Sequence, residues 1–199
     1  MDKTPDIPSR PELTLPEAEA IALSKAYAQA DTILEYGSGG STVIAAELGK
    51  TVWSVESDAD WAQMMRDYFA AHPPMGDVHI VHSDIGPTKE WGHPVDDSEW
   101  KKFPRYPLQI WDNPGFEHPD VVLVDGRFRV GCALATAFRI TRPVTLYFDD
   151  YKRRERFHVV EEFLGQPEDM IGRMARFEIT PTPVPRKKLL KVVQLMLRP

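Results

Sequence analysis

The stretch that most constrains this chain is Thr32-Ile33-Leu34-Glu35-Tyr36-Gly37-Ser38-Gly39-Gly40-Ser41-Thr42. Ile33 and Leu34 give the apolar run of a buried strand, glycines follow at once, and Val43 to Leu48 continues as a helix. Gly37, Gly39 and Gly40 leave little side-chain bulk, so a ligand can approach the backbone there. Ser41 and Thr42 are residue types that cap a helix. A strand, a glycine turn and a helix N-terminus in succession build a nucleotide site. The spacing is not that of the dinucleotide fingerprint, because G-x-G-x-x-G needs a third glycine at position 42, where Thr42 stands. An ordinary strand-to-helix turn would need no partner farther along. Thr51 to Val55, however, reads as a second apolar strand ending in Glu56, placed where an acid accepts hydrogen bonds from ribose hydroxyls.

The rest of the chain alternates in the same way. Met1 to Pro16, with Pro5, Pro8, Pro11 and Pro16, reads as an extended arm, and residues 17–199 as one domain. A helix is predicted over Glu17–Ala30 and another over Ala59–Ala71, capped by Asp58 and ended by His72-Pro73-Pro74. Val78 to Val81 is a third strand, followed by Ser83 and Asp84. Residues 85–119 break the rhythm and concentrate Trp91, Trp100, Phe103, Tyr106, Trp111 and Phe116. Such an insertion serves either as a side cover on the sheet or as a lid over a ligand. Asp120 to Val124 closes on Asp125-Gly126, a helix follows over Arg127–Ile140, and Val144 to Phe148 closes on Asp149-Asp150. Arg153 to Leu164 reads as an amphipathic helix, and Arg176–Thr180 with Leu189–Leu197 as two final strands. The expected fold is α/β: a three-layer, Rossmann-like sandwich on a mostly parallel seven-stranded sheet with an antiparallel final strand.

The pattern E-x-G-x-G-x-S-T, from Glu35 to Thr42, resembles motif I of the class I S-adenosylmethionine-dependent methyltransferases. The resemblance extends from about residue 17 to the end. It implies that Gly37-Ser38-Gly39 passes under the methionine part of S-adenosylmethionine, with Ser41 and Thr42 opening the helix behind it. It places Glu56 on the ribose, and Asp84, with Ser83 beside it, on the adenine. Glu35 would orient the loop or a water near the cofactor. V-L-V-D-G at Asp125 and F-D-D-Y at Asp149-Asp150 look like the metal-dependent O-methyltransferases, including the macrocin type. There, acids matching Asp125, Asp149 and Asp150 would hold a magnesium ion against the acceptor hydroxyl, and Asp125 and Asp149 would be catalytic. The sequence departs from the catechol-type pattern, which has a lysine where Phe128 stands. Arg127 and Arg129 stand close enough to pair with Asp125 and take the place of a metal.

Other chemistries find no support. The chain has no G-x-S-x-G elbow and no G-x-x-x-x-G-K-[ST] loop, and its six histidines show no ligand spacing. A formal net charge of -6 gives no electrostatic support for a general nucleic-acid binder; the resemblance implies a small-molecule acceptor as the partner. The lone Cys132 lies in an apolar stretch, as a packed thiol does, and suits a reducing compartment. With no apolar run of membrane-spanning length, the expected setting is cytoplasmic. Three functions remain open on this fold: methyl transfer to a small-molecule or sugar hydroxyl, a non-catalytic cofactor-binding module, and aminopropyl transfer. The last is the weakest, since it lacks the glycine-aspartate-rich loop typical of that family.

Overall fold

The computed structural model describes residues 8–199; the first seven residues of the expected arm lie outside it. Helix α1 (Glu17–Gln29) leads into β1 (Thr32–Tyr36), α2 (Gly40–Glu47), β2 (Thr51–Glu56), α3 (Ala59–Ala71) and β3 (Val78–His82). The long connection then holds a two-stranded ribbon, β4 (Thr88–Lys89) with β5 (His93–Pro94), and a short helix, α4 (Arg105–Leu108). β6 (Val121–Val124), α5 (Arg129–Arg139) and β7 (Val144–Phe148) resume the alternation. A 3-10 stretch, Glu155–Val160, runs into α6 (Glu161–Leu164), followed by β8 (Asp169–Ile171), β9 (Met174–Ile179) and α7 (Leu189–Met196).

Seven strands form one sheet in the order β3-β2-β1-β6-β7-β9-β8. The first five in that order are parallel, β9 is antiparallel to β7, and β8 is antiparallel to β9. This is the mostly parallel seven-stranded sheet with an antiparallel final strand that the alternation predicts. The chain reverses its direction across the sheet between β1 and β6, so the crevice for a ligand lies at the carboxyl ends of those two strands.

Strand parity separates two cores. Leu34, Tyr36, Val55, Val122, Val124, Leu146 and Phe148 face α5 and α7, together with Phe103, Tyr106 and Ile110 of the long connection. Ile33, Val52, Leu123 and Tyr147 face Leu15, Leu23 and Tyr27 of the N-terminal segment and α1. The 85–119 segment is therefore a side cover through its buried aromatics, while its β4–β5 ribbon extends toward the strand ends. The arm is tied down by Arg10, whose guanidinium donates to both oxygens of Glu47 on α2.

Two expectations about the chain's last third are corrected. Leu189–Leu197 is a helix rather than a strand: Val192, Leu195 and Met196 repeat at helical spacing and are buried, and α7 packs on α5, where a Cβ on Gly131 would lie 3.2 Å from the Met196 Cα. The partner of β9 is instead β8, through a two-residue turn that opens on Gly172 at φ 56°. The helix expected over Arg153–Leu164 is mostly the 3-10 stretch, with one turn of α-helix at its end.

Candidate functional site

The acids of the site share one strand parity. Leu34 and Tyr36, Val55, Val124 and Phe148 fill the α5 side, so the residues between or after them, Glu35, Glu56, Asp125 and Asp149, turn to the other face. Glu35 is fully buried. Its carboxylate accepts from the Tyr27 hydroxyl at 2.7 Å and from the Thr42 hydroxyl, whose oxygen in turn accepts from the Gly39 amide at 3.0 Å. Glu35 thus orients the glycine loop from beneath. Burial raises its pKa, against the hydrogen bonds that favour its charge. Thr42 closes back on Gly39 from inside the first turn of α2, and Ser41 is also buried within that turn.

Gly37 has φ 109°, which glycine adopts without penalty. A Cβ there would lie 2.8 Å from the Gly126 amide nitrogen, so the loops after β1 and β6 are packed backbone to backbone. The amide of Asp125 donates to the Tyr36 carbonyl at 3.0 Å, tying them further. Ser38 is held by the Ser54 hydroxyl at 2.7 Å and by the Trp61 indole N–H, which donates to the Ser38 carbonyl at 2.8 Å. A Cβ built on Gly39 meets nothing within 4 Å, so the space above that residue is open.

Glu56 ends β2 and is 8% exposed. Its Oε1 accepts from the amides of Ser57 (2.6 Å) and Asp58 (2.8 Å), and its Oε2 accepts from the Ser38 amide at 3.2 Å, which leaves Oε2 a lone pair for a hydroxyl donor. Burial pushes this carboxyl upward, and the three amides pull it back. The β4–β5 ribbon lies against it. The Ser57 hydroxyl donates to the Gly92 carbonyl at 2.9 Å, Thr88 donates to Asp58 at 2.8 Å, and a Cβ on Gly92 would be 3.2 Å from Glu56 Oε1. At the end of β3, Asp84 accepts from the Gly86 amide at 2.9 Å and pairs with Lys102 at 3.1 Å, which together hold its pKa down. Ser83 is fully buried, and its hydroxyl has no hydrogen-bond partner.

On the β6 and β7 side the structure brings Asp125, Asp149 and Asp150 together, but around arginines. Arg129, 7% exposed, donates from Nε to the Gly126 carbonyl (2.9 Å) and from Nη1 to the Asp149 carbonyl (2.7 Å). It also pairs with Asp125 at 3.1 Å and with Asp150 at 3.5 Å. Asp150 pairs with Arg154 at 2.7 Å, and Arg173 forks onto both oxygens of Asp149 at 2.9 and 2.8 Å. The magnesium expectation for Asp125, Asp149 and Asp150 is therefore corrected: guanidinium groups occupy the positions a cation would take. Among the described residues no set of three or more His, Cys, Asp or Glu is arranged to hold a metal ion. Asp149, expected to be catalytic beside Asp125, is wholly enclosed and cannot meet an acceptor. Asp125 keeps 28% of its side chain exposed. Burial and the neighbouring Asp149 push its pKa up to about 7 against the pull of Arg129, while Arg173 holds Asp149 down. The two neighbouring carboxyls are thus pushed apart, Asp149 down and Asp125 up to about 7, an arrangement that suits acid-base work.

The described non-glycine residues with positive φ are Trp91 (63°), next to Gly92, Phe128 (50°), just before α5, and Asp150 (60°), just after β7. Backbone strain of that kind gathers where a structure over-determines a site. Arg173, Arg154, Tyr106 and His93 had no local signal in the sequence. Arg173 arrives through the β8–β9 turn, where its amide donates to Glu19 of α1 at 2.8 Å. Tyr106 donates to the Val55 carbonyl at 3.2 Å, and its hydroxyl stands where a Cβ on Gly126 would fall.

Sheet order, glycine loop and strand-end acids define a class I methyltransferase type of α/β domain. No protein-family model matches the chain, nor does any curated protein sequence. Solved structures do match. A methyltransferase-like protein from Silicibacter pomeroyi is 62% identical, over 96% of this chain and 99% of that one, with a TM-score of 0.92. The cofactor-bound Rv0187 from MTB (16% identity, 87% and 84% covered, TM-score 0.58) and the O-methyltransferase TomG from Streptomyces achromogenes, solved with SAM (14%, 87% and 82%, TM-score 0.52), share the fold. The chain belongs to the family of that methyltransferase-like protein, and its fold is that of the S-adenosylmethionine-dependent methyltransferases.

Proposed function

We propose that this protein transfers a methyl group from S-adenosylmethionine to a hydroxyl of a small molecule, with Asp125 as the base. The observation that carries the reading is the packing of Gly37 on the backbone of Asp125 and Gly126, which sets Asp125 beside the glycine loop. The residues fit the cofactor on two counts: the space over Gly39 is open, and the buried Ser83 hydroxyl at the end of β3 lacks a partner that a nucleobase edge would supply. Glu56 Oε2 would take the ribose, and Gly37-Ser38-Gly39 the methionine part. The ribbon at Gly92 must lift from Glu56 for the ribose to reach it. When bound, the cofactor supplies a methyl group already activated on a sulfonium. The protein then has to align the acceptor oxygen and remove its proton. Asp125, with a pKa near neutrality, takes that proton, and Arg129 steadies the carboxylate that receives it. Arg173 and Arg154 hold Asp149 and Asp150 away from the reaction as structural partners.

The acceptor carries a sugar or other small-molecule hydroxyl, and residues 17–199 act as one catalytic unit. The lone buried Cys132 suits a cytoplasmic setting. A second reading, a cofactor-binding module without chemistry, is favoured by the cover of Gly92 over Glu56 and by the closure of Asp149 and Asp150. Incubation with methyl-labelled cofactor and a metabolite extract decides between them. Label on a small molecule, lost in Asp125→Asn, supports the enzyme. Tight cofactor binding with no labelled product supports the module.

A further inference from the structure

One buried aromatic ring close to Arg129 collects three guanidinium groups. Arg156, Arg154 and Arg129 lie 5.1, 5.8 and 6.0 Å from the centre of the buried Phe157 ring. Arg127 stands across from them, in hydrogen-bond contact with His93 of β5. The cations are unequally answered. Arg129 and Arg154 pair with Asp125 and Asp150, and Arg173 with Asp149. Among the described residues, neither Arg127 nor Arg156 has a carboxylate within ion-pairing distance, and the buried Nε of Arg127 has no partner at all. The field reaches His93: burial first, then Arg127, Lys89, Arg156 and Arg154, hold its pKa below the usual value, so it stays neutral beside them. Burial and Arg129 likewise press on Arg127. A chain with a formal charge of -6 has thus gathered unpaired positive charge at one place, two residues beyond Asp125. Like charges brought together against their repulsion, with a guanidinium donor left unmet, are the complement of an anion.

We propose that the crevice between the β4–β5 ribbon and the start of α5 is an anion site, in which Arg127 and Arg156 grip a carboxylate or phosphate group carried by the acceptor. That this anion belongs to an acceptor rests on the methyltransferase reading; the existence of the site does not. The other source of the same chemistry is the carboxylate of the cofactor itself, and the experiment separates the two. The probes are inorganic phosphate, at ionic strength balanced with sodium chloride, and S-adenosylhomocysteine, titrated calorimetrically into the full chain and into Arg127→Gln and Arg156→Gln. The expected result is phosphate binding to the wild type, weakened by about tenfold or more in Arg127→Gln and several-fold in Arg156→Gln, with S-adenosylhomocysteine affinity kept within about twofold. Circular dichroism checks folding; if Arg127→Gln is unfolded, Arg127→Lys and Arg156→Gln decide by the same readout. No phosphate binding by the wild type, or equal binding by the variants, overturns the proposal. A loss of S-adenosylhomocysteine affinity well beyond twofold in Arg127→Gln or Arg156→Gln also overturns it, whatever happens to phosphate, by assigning these arginines to the cofactor. If phosphate binds as expected but S-adenosylhomocysteine does not bind the wild type, the cofactor reading fails and the anion site stands.

Discussion

Arg129→Met removes a side chain that ties β6, α5 and β7 together at the site. Methionine keeps most of the stem's volume, so the loss is chiefly polar. Arg129 now satisfies the Gly126 and Asp149 carbonyls and offsets Asp125 and Asp150 while being 7% exposed. Removing one partner from a buried ion pair costs about 3–5 kcal/mol, and each carbonyl left dry adds about 1–3 kcal/mol. Two features reduce the sum. Asp125 is 28% exposed, so water recovers part of its cost, and Asp150 retains Arg154 and Arg173. We therefore expect a loss of about 4 kcal/mol, which at a urea m-value of about 2 kcal/mol/M lowers the unfolding midpoint by about 2 M. Adding Asp125→Asn removes the charge that Arg129 offset and should return about 1–2 kcal/mol. The assay is equilibrium urea unfolding followed by circular dichroism on the two single variants and the double variant. A loss under about 1 kcal/mol for Arg129→Met, or strict additivity in the double variant, would refute the view of Arg129 as the keystone.

Three further outcomes are expected. Because Asp125 must be ionised to accept a proton and its pKa is pushed up to about 7, methyl transfer should fall as pH drops through about 7; a flat rate profile across that range in the wild type would remove Asp125 from the role of base. Glu56→Ala should weaken S-adenosylhomocysteine binding by about 1.5–3 kcal/mol, and unchanged affinity in calorimetry would place the ribose elsewhere. Trp91 is 80% exposed on the ribbon whose neighbour Gly92 covers Glu56, so cofactor binding should change tryptophan fluorescence in the wild type and much less in Trp91→Phe. An equal change in both would mean that the ribbon stays in place.

The half of the chain from α1 to β3 was legible in sequence because each element carries its own punctuation. Pro16 precedes α1, the glycines follow β1, and Asp58 accepts from the Trp61 amide at the start of α3. The 169–197 region was not legible. The apolar run Leu189–Leu197 fits either a strand or a helix, and its packing on α5 decided. Missing β8 also hid Arg173, which reaches Asp149 only because Gly172 turns the chain against Glu19. The strand-end acids were visible as residues, and the arginines at 127 and 129 as candidates to replace a metal. Strand parity then decided what the acids touch. It sends Glu35 to Tyr27 and Asp149 to Arg173, and it leaves Asp125 at the crevice. Asp84 shows the same limit: its position after β3 was legible, but its pairing with Lys102 of the long connection was not.

If S-adenosylmethionine sits on the loop from Gly37 to Gly39, Gly39→Ala should block it directly. Gly39 has an extended backbone (φ 172°), and its added methyl group meets no protein atom within 4 Å. The fold should scarcely notice the change, with stability kept within about 0.5 kcal/mol. A cofactor lying against that backbone would collide with the methyl. Calorimetric titration of S-adenosylhomocysteine should show one site on the wild type and a loss of about tenfold or more in affinity for Gly39→Ala, at unchanged unfolding midpoint. No binding to the wild type, or the same affinity in the variant, would contradict the account.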